Sequence, residues 1–185
     1  MDLYQAKQEG RADWANWLFE YHVFVVAERA GMLADRFGAN KELAMAAGML
    51  HDIADAVMRR EDPKHEEESA TIARRLLREA GFSDEETRVI VDDAMKRHGC
   101  HEGDCPLSLE GRVMATADAL AHLQTDFYEH AIEARQADET IDQIKKWALS
   151  KLERDINAKI FFSEVREEVR LNYERLKCLF SEKQE

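Results

Sequence analysis

The chain has 185 residues, enough for one domain with a full hydrophobic core and too few to require two. It carries 26 Lys and Arg against 38 Asp and Glu, a formal net charge of −12 that would repel phosphate backbones, so we expect no general nucleic-acid binding. No apolar run approaches the roughly 20 residues that span a bilayer, and the first residues lack a signal-peptide pattern. The chain has three Cys, an odd number that argues against a disulfide framework. Together, the lack of an apolar span, the lack of a signal peptide and the cysteine count predict a cytoplasmic protein without membrane contact.

Apolar residues recur at spacings of three and four, and only eight Gly and two Pro interrupt the chain, so the sequence predicts helices throughout. The first helix covers residues 11 to 37, and Gly31 either interrupts it or lies in close packing. A second, very apolar helix covers residues 41 to 58, a composition typical of a buried central helix. A third runs from 64 to 80 and stops at Gly81.

The second half of the chain continues this pattern. Ser83 and Glu86 form a capping-box pattern that opens a helix to about residue 97, and residues 98 to 106 form the one compact irregular segment. Helices are predicted from 109 to 137 and from 140 onward, and the segment from 155 to 180 carries a single apolar stripe. We interpret the stripe as core, with a homodimer interface as the alternative. The prediction is one all-α domain over residues 1 to 185, in which the helices from 138 on pack against the rest or form an interface.

The pair His51 and Asp52 directly follows five small or apolar residues, where polar side chains are costly to bury unless something compensates them. Other potential metal ligands lie inside or beside apolar stretches, at long intervals: His22, His65, His98 and Asp118. Mixed histidine and carboxylate sites suit divalent transition ions, and helical bundles build such sites from facing helices. The pattern predicts a metal centre, with hydrogen-bonded core histidines and solvated acids as the alternative.

The order of a His, a His-Asp pair, two further His and a late Asp resembles the HD-domain superfamily of metal-dependent phosphohydrolases. The resemblance extends over about residues 20 to 125 and rests on EYHVF around His22, LHDIA around His51 and ATADAL around Asp118. The run HEEESA from His65, with the later His98, resembles the two extra histidines of the subgroup that binds two metals. The resemblance to the HD-domain superfamily implies a helical bundle with a metal site between central helices.

The resemblance implies that one ion is held by four ligands: His22, His51, Asp52 and Asp118. Asp52 would bridge to a second ion on His65 and His98. The cofactor would be one or two divalent transition ions, Mn, Fe, Co, Ni or Zn. Such ions lower the pKa of bound water and offset charge on phosphorus, so we expect hydrolysis of a phosphate ester bond in a nucleotide or another small phosphorylated metabolite. Asp52 and Asp55 are the predicted catalytic residues.

Asp55 stands where many superfamily members have a Lys that contacts phosphate. An acid here resembles the nucleotidase-like branch, in which it positions or activates the attacking water. On a continuous helix His51 and Asp55 are i,i+4 neighbours, so Asp55 would point toward the metal. The alternative is a carboxylate that orients a ligating histidine.

Several further residues are weaker candidates for contact with the substrate. Basic residues flank the predicted ligands and could hold phosphate, although such clusters are usually solvated: Arg59, Arg60, Lys64, Lys96 and Arg97. His101 and His122 could line the same pocket or be bystanders. Cys100 and Cys105 have a spacing that standard zinc sites do not use, so we expect no zinc site there.

Two other functions remain open at the level of sequence. A minority of the superfamily carries out oxygen chemistry on a similar di-iron cluster, and a metal-binding regulatory module would show no turnover. The complete ligand set argues against the regulatory module, and the identity of the metal would separate the other two.

Overall fold

Helices make up all the regular secondary structure of residues 15 to 181, the part of the chain that a computed structural model describes. Within that range, β geometry is limited to one isolated bridge between His101 and Asp104. The predicted all-α class is therefore confirmed. No helix in this range is both long enough and apolar enough to cross a bilayer.

The first helical segment is continuous and carries one irregular turn. Helix α1 (Ala15–Leu18) passes through a π-helical turn (Phe19–Val23) into α2 (Phe24–Phe37), which ends at Gly38 with φ of 78°. The predicted start at residue 11 lies outside the described residues. Gly31 does not interrupt the helix but packs closely, because a Cβ there would lie 2.9 Å from Met45 Sδ. The π turn places His22 in the interior.

Helix α3 (Lys41–Leu50) ends earlier than the sequence predicts. The chain turns at His51 and Asp52, where Asp52 has φ of −118°, and then forms a 3₁₀ turn (Ile53–Ala56). The predicted continuation to residue 58 is wrong because the Ala54 N–H donates to Ser69 Oγ of the next helix at 3.1 Å instead of continuing the α-helical ladder. A 3₁₀ turn keeps nearly the same apolar spacing, so periodicity alone does not reveal the break.

Helix α4 (His65–Glu79) is followed by Gly81 with φ of 91°, as predicted. Helix α5 (Asp84–Arg88) opens with the predicted capping box and continues as a π-helical segment (Val89–Met95). The irregular segment that follows leads to α6 (Leu109–Gln124), whose N-terminus is capped by Ser108. Every residue of α6 from 113 to 123 is buried, which makes it the central helix.

The predicted helix from 109 to 137 is broken at Thr125, whose hydroxyl donates to the Ala121 carbonyl and accepts from the Phe127 N–H. Helices α7 (Phe127–Arg135) and α8 (Ile141–Arg154) follow, and a π-helical segment (Asp155–Lys159) extends α8. The last predicted segment divides twice: extended backbone at Ile160 separates this π-helical segment from α9 (Ser163–Glu168), and Val169, with φ of −104° and ψ of 4°, separates α9 from α10 (Arg170–Ser181).

Helices α2, α3 and α6 pack against one another at the centre of the molecule. The crossing of α2 and α3 is close, since a Cβ on Gly48 would lie 2.9 Å from Ala27 Cα. The apolar stripe of the last segment is buried in this structure, as its interpretation as core requires: Ile156, Ile160, Val165, Val169, Tyr173, Leu176 and Phe180. The same packing brings the segment Asp155–Lys159 against α6.

Candidate metal centre

Asp118, in the middle of α6, is the point on which three histidines converge. Its Oδ1 lies 3.1 Å from His22 Nε2, 3.2 Å from His122 Nε2 and 3.9 Å from His51 Nε2. All four side chains are buried, with at most 4% of each residue exposed. The π turn, the end of α3 and two turns of α6 therefore supply a compact set of nitrogen and oxygen donors.

The histidine tautomers suit metal binding. His51 Nδ1 donates to the Gly48 carbonyl at 2.8 Å and His98 Nδ1 donates to the Met95 carbonyl at 2.6 Å, since a carbonyl oxygen can only accept. Each neutral ring therefore keeps a lone pair on Nε2, the arrangement in which an outer hydrogen bond fixes a ligating histidine. Although buried, His51 Nε2 and Asp118 Oδ1 make no hydrogen bond of good geometry with residues 15 to 181.

Two donor groups have the compactness that a metal ion requires. His22, His51 and Asp118 form one, and His51, Asp52 and His98 form the other, with the donor atoms of each group within 4.8 Å of one another. This donor chemistry fits the divalent transition ion that the sequence pattern implies. His51 belongs to both groups, so the two candidate positions are adjacent.

His65 lies next to Asp55 rather than within either group. Its Nε2 is 2.9 Å from Asp55 Oδ1, and Asp55 is fully buried. The Arg60 guanidinium contacts Asp52 and lies 2.7 Å from Asp55 Oδ2, so it joins the two carboxylates. A carboxylate held between an arginine and a histidine has the geometry expected if Asp55 orients a histidine ligand, which is the alternative to a direct catalytic role. The role of Asp55 stays a prediction.

The protonation states of most candidate ligands suit a cation. Burial raises the pKa of Asp52, but Arg60 and the nearby His51 outweigh it and bring this pKa well below its usual range. Burial lowers the pKa of His51, but Asp52 and Asp118 outweigh it and leave this pKa above the usual value, so a bound metal ion would displace the proton of His51. Burial likewise raises the pKa of Asp118, but His122 and Lys159 bring it well below its usual range. Burial lowers the pKa of His98, to about 4, and that of His122, to about 3. Ionised carboxylates and neutral imidazoles are the forms that coordinate metals.

The sequence reasoning missed a buried charge cluster beside Asp118. Lys159 Nζ contacts Asp118 Oδ2 and lies 3.7 Å from Asp155 Oδ1, and Asp155 Oδ2 is 3.0 Å from His122 Nδ1. This carboxylate fixes the tautomer of His122, so its Nε2 faces Asp118. A signal was present: Lys151, Asp155 and Lys159 repeat every four residues beside buried apolar positions, and charges there are costly to bury unless paired.

A cleft of about 970 Å³ opens onto this centre. Of the candidate substrate contacts named from the sequence, four line it: Arg60, Lys96, His101 and His122. Arg59 and Lys64 are exposed and lie outside the lining, and Arg97 pairs instead with Asp104 at 3.3 Å and with Asp93 at 3.7 Å. Cys100 and Cys105 belong to neither of the donor groups found among the described residues.

Comparison with known proteins identifies the same domain. The HD domain family model matches residues 19–123, more than half of the chain. Ribonuclease Y of Fervidobacterium nodosum is 35% identical over 100 residues, which are 54% of this chain and 17% of that protein. Ribonuclease Y of Thermosipho melanesiensis is 36% identical over 54% of this chain and 18% of its own length. No solved structure matches the chain.

A third relative, Ribonuclease Y of Campylobacter hominis, is 30% identical over 113 residues, 61% of this chain and 20% of that protein. The chain thus spans about a fifth or less of the relatives it matches. Their name contradicts the exclusion of nucleic acid in the sequence analysis, and that prediction is wrong. Net charge averages over the whole surface, whereas the local field in the cleft includes Arg60, Lys151 and Lys159.

The residues matched by the family model contain the proposed ligands His22, His51, Asp52, His98 and Asp118, and the helices that carry them. The fold, the donor groups and the sequence comparison agree on one conclusion. The chain belongs to the HD-domain family, whose members are typically metal-dependent phosphohydrolases.

Proposed function

We propose that this chain hydrolyses a phosphate ester bond in a nucleotide-containing substrate, with one or two divalent transition ions as cofactor. The observation that carries the proposal is the convergence of His22, His51 and His122 on Asp118, next to Asp52 and His98. The name of the relatives, Ribonuclease Y, makes an RNA phosphodiester the first substrate class to test. A nucleotide or another small phosphorylated metabolite is the second class, because a cleft of about 970 Å³ suits a ligand of that size.

In this proposal His22, His51, Asp52 and Asp118 hold the first ion. Asp52 and His98 hold the second, and His65 joins them or stays with Asp55. When bound, the ions supply an acidified water and Lewis-acid stabilisation of charge on phosphorus. The protein excludes bulk water, because the donor atoms lie at the buried floor of the cleft, where electrostatic interactions are stronger than in solvent.

Asp55 and Arg60 have complementary roles in the proposal. Arg60 holds the carboxylates of Asp52 and Asp55 in fixed positions and brings positive charge to the phosphate side of the centre. Asp55 positions the attacking water or accepts its proton, either directly or through His65, with which it is in contact.

Metal content and turnover test the proposal together. Purified protein reconstituted with Mn, Fe, Co, Ni or Zn is assayed against an RNA oligonucleotide, nucleoside monophosphates and simple phosphate esters. We expect hydrolysis with at least one of these combinations. Asp52→Ala should abolish turnover and reduce the metal content measured by elemental analysis, whereas Asp142→Ala, at an exposed acid of α8, should change neither.

The results also separate the alternatives. A metal-loaded wild type that is inert toward every phosphate ester refutes the proposal, and oxygen consumption by its iron form would support the di-iron oxygenase instead. Metal content that is unchanged in Asp52→Ala refutes the ligand assignment.

Asp55→Asn isolates the role of Asp55, since it keeps the size of the side chain and removes its basicity. We expect the metal to remain bound and turnover to fall by a factor of about 10²–10⁴, the usual contribution of a general base. Unchanged turnover would show that Asp55 acts only in holding Arg60 and His65.

A further inference from the structure

Two cationic side chains near the end of α8, Lys151 and Arg154, line the cleft but have no role in the proposed hydrolysis. They lie outside the segment 19–123 that the family model matches. They belong to the helices that follow the matched segment.

The charge of Arg154 is not balanced by an ion pair with any residue from 15 to 181. Its buried Nε has no hydrogen-bond partner among the same residues. Other half-buried arginines of the cleft are paired: Arg60 with Asp52 and Asp55, Arg74 with Asp92 and Arg135 with Glu139. A guanidinium held at a cleft without a partner is a ready donor for an anion, because its planar fork matches the oxygens of a phosphate.

Lys151 adds a second positive charge that is only weakly balanced. Its side chain is 13% exposed, and Nζ is 4.0 Å from Asp155 Oδ2, a carboxylate that also contacts His122 and Lys159. Burial lowers the pKa of Lys151 to about 8, although Asp155 opposes the shift. The pKa of His101 is lowered first by burial and next by the positive charge of Arg154, so these two side chains are near each other. Among the residues from 131 on that line the cleft, here called the C-terminal wall, the bases Arg135, Lys151, Arg154 and Lys159 outnumber the acids Asp138 and Glu139.

We propose that Lys151 and Arg154 form an anion subsite that binds a second phosphate group of the substrate, distinct from the phosphate that is hydrolysed. The inference rests on the proposed function and narrows its substrate class to nucleotides that carry at least two phosphate groups, such as a 5′-phosphorylated dinucleotide. One face of Trp147, which also lines the cleft, is covered by the Arg135 guanidinium, 4.3 Å from its ring centroid, and is not available to stack on a base. The contact proposed for Lys151 and Arg154 is therefore with the phosphate and not with a base.

Equilibrium binding tests the subsite without turnover. Adenosine 5′-monophosphate is titrated calorimetrically into protein from which metal has been removed with a chelator. We expect Arg154→Gln to weaken binding by about tenfold or more, consistent with loss of a charge-assisted phosphate contact. Arg154→Lys should retain part of the affinity, and Lys146→Gln, at an exposed position of the same helix outside the cleft lining, should retain all of it. Thermal denaturation establishes that each variant is folded.

A kinetic comparison links the subsite to the substrate. With metal-loaded enzyme, the KM for the 5′-phosphorylated dinucleotide pApA should be lower than the KM for ApA, and Arg154→Gln should remove the difference while kcat for ApA stays unchanged. Wild-type protein that does not bind adenosine 5′-monophosphate, or an Arg154→Gln variant that binds it as tightly as wild type, overturns the inference. Binding that depends on Arg154 in a protein that cleaves no phosphate ester would support the subsite and refute the proposed function.

Discussion

Lys159 is the cation that balances the buried carboxylates of the candidate metal centre. The residue is 2% exposed, its Nζ contacts Asp118, and the same atom lies 3.7 Å from Asp155. Burial lowers the pKa of Lys159, but Asp118 and Asp155 outweigh it, so the net pKa is above the usual value and the side chain is charged at pH 7. Lys159→Met keeps the aliphatic length and removes the charge.

The magnitude follows from the burial of the ion pair. Removing one partner of a buried pair destabilises a protein by about 3–5 kcal/mol, because the other charge is left uncompensated. In a chain of this size each kcal/mol lowers Tm by about 2–4 °C, so Lys159→Met should lower Tm by about 6–20 °C. Added Mn²⁺ should raise Tm more in the variant than in wild type, because a cation bound by Asp118 replaces part of the missing charge.

Thermal denaturation of chelator-treated protein at pH 7, followed by circular dichroism with and without Mn²⁺, measures both effects. Lys177→Met is the matched control: Lys177 Nζ pairs with Glu153 Oε1 at 2.7 Å on the surface, where ion pairs contribute little. A Tm of Lys159→Met equal to that of the control would refute the balancing role of Lys159. Equal stabilisation of wild type and variant by Mn²⁺ would refute the link to the metal.

Three other perturbations test the packing and a capping carboxylate. Gly48→Ala should destabilise the protein by about 1–3 kcal/mol in urea denaturation, because the new Cβ would meet the backbone of Ala27 at 2.9 Å. Gly31→Ala should change stability by less than about 1 kcal/mol, since its Cβ would meet the flexible side chain of Met45 and alanine favours the helix; a loss as large as that of Gly48→Ala would contradict this reasoning. The Asp93 carboxylate accepts hydrogen bonds from the backbone N–H groups of Leu107 at 2.9 Å and Ser108 at 2.8 Å, just before α6. Burial raises the pKa of Asp93, but these hydrogen bonds outweigh burial and bring the pKa below its usual value. Asp93→Asn should therefore lower the free energy of unfolding by about 1–2 kcal/mol at pH 7. The difference in stability between wild type and variant should disappear as the pH falls below about 3.9 and through the folded-state pKa of Asp93. A difference that does not change with pH would show that the charge of Asp93 is not involved.

The sequence predicts the helices well where their ends carry local signals. The predicted capping box at Ser83 and the left-handed glycines Gly38 and Gly81 lie at the ends of helices, and the helix predicted from 140 onward opens in the structure with a capping box at Thr140. The breaks at Asp52 and Thr125 carry no such pattern: the Ala54 N–H donates to Ser69, 15 residues away, and after Thr125 a single hydroxyl accepts from the Phe127 N–H. The apolar spacing continues across both breaks, so the sequence indicates one helix where the structure has two elements.

The residues of the candidate site also fall into those that the sequence indicates and those that only the structure reveals. The sequence selects six candidate ligands because polar side chains inside apolar helices need a compensating partner. The structure places His65 against Asp55 and brings the other five into two compact donor groups: His22, His51, Asp52, His98 and Asp118. The sequence misses Lys159, Asp155 and Arg154 because charged residues late in an amphipathic segment usually belong to a solvated face.

The sequence by itself determines the helical class and the family and selects the candidate ligand residues, because periodicity, caps and the His-Asp pattern are local properties of the chain. The tertiary structure alone decides that His65 lies against Asp55, that Lys159 balances Asp118, and that Arg154 is left without a partner among the described residues. These relations join segments distant in sequence, and each depends on how the helices cross. A buried charge is stabilised by whichever group the fold brings within a few ångströms of it, and no spacing along the chain specifies that group.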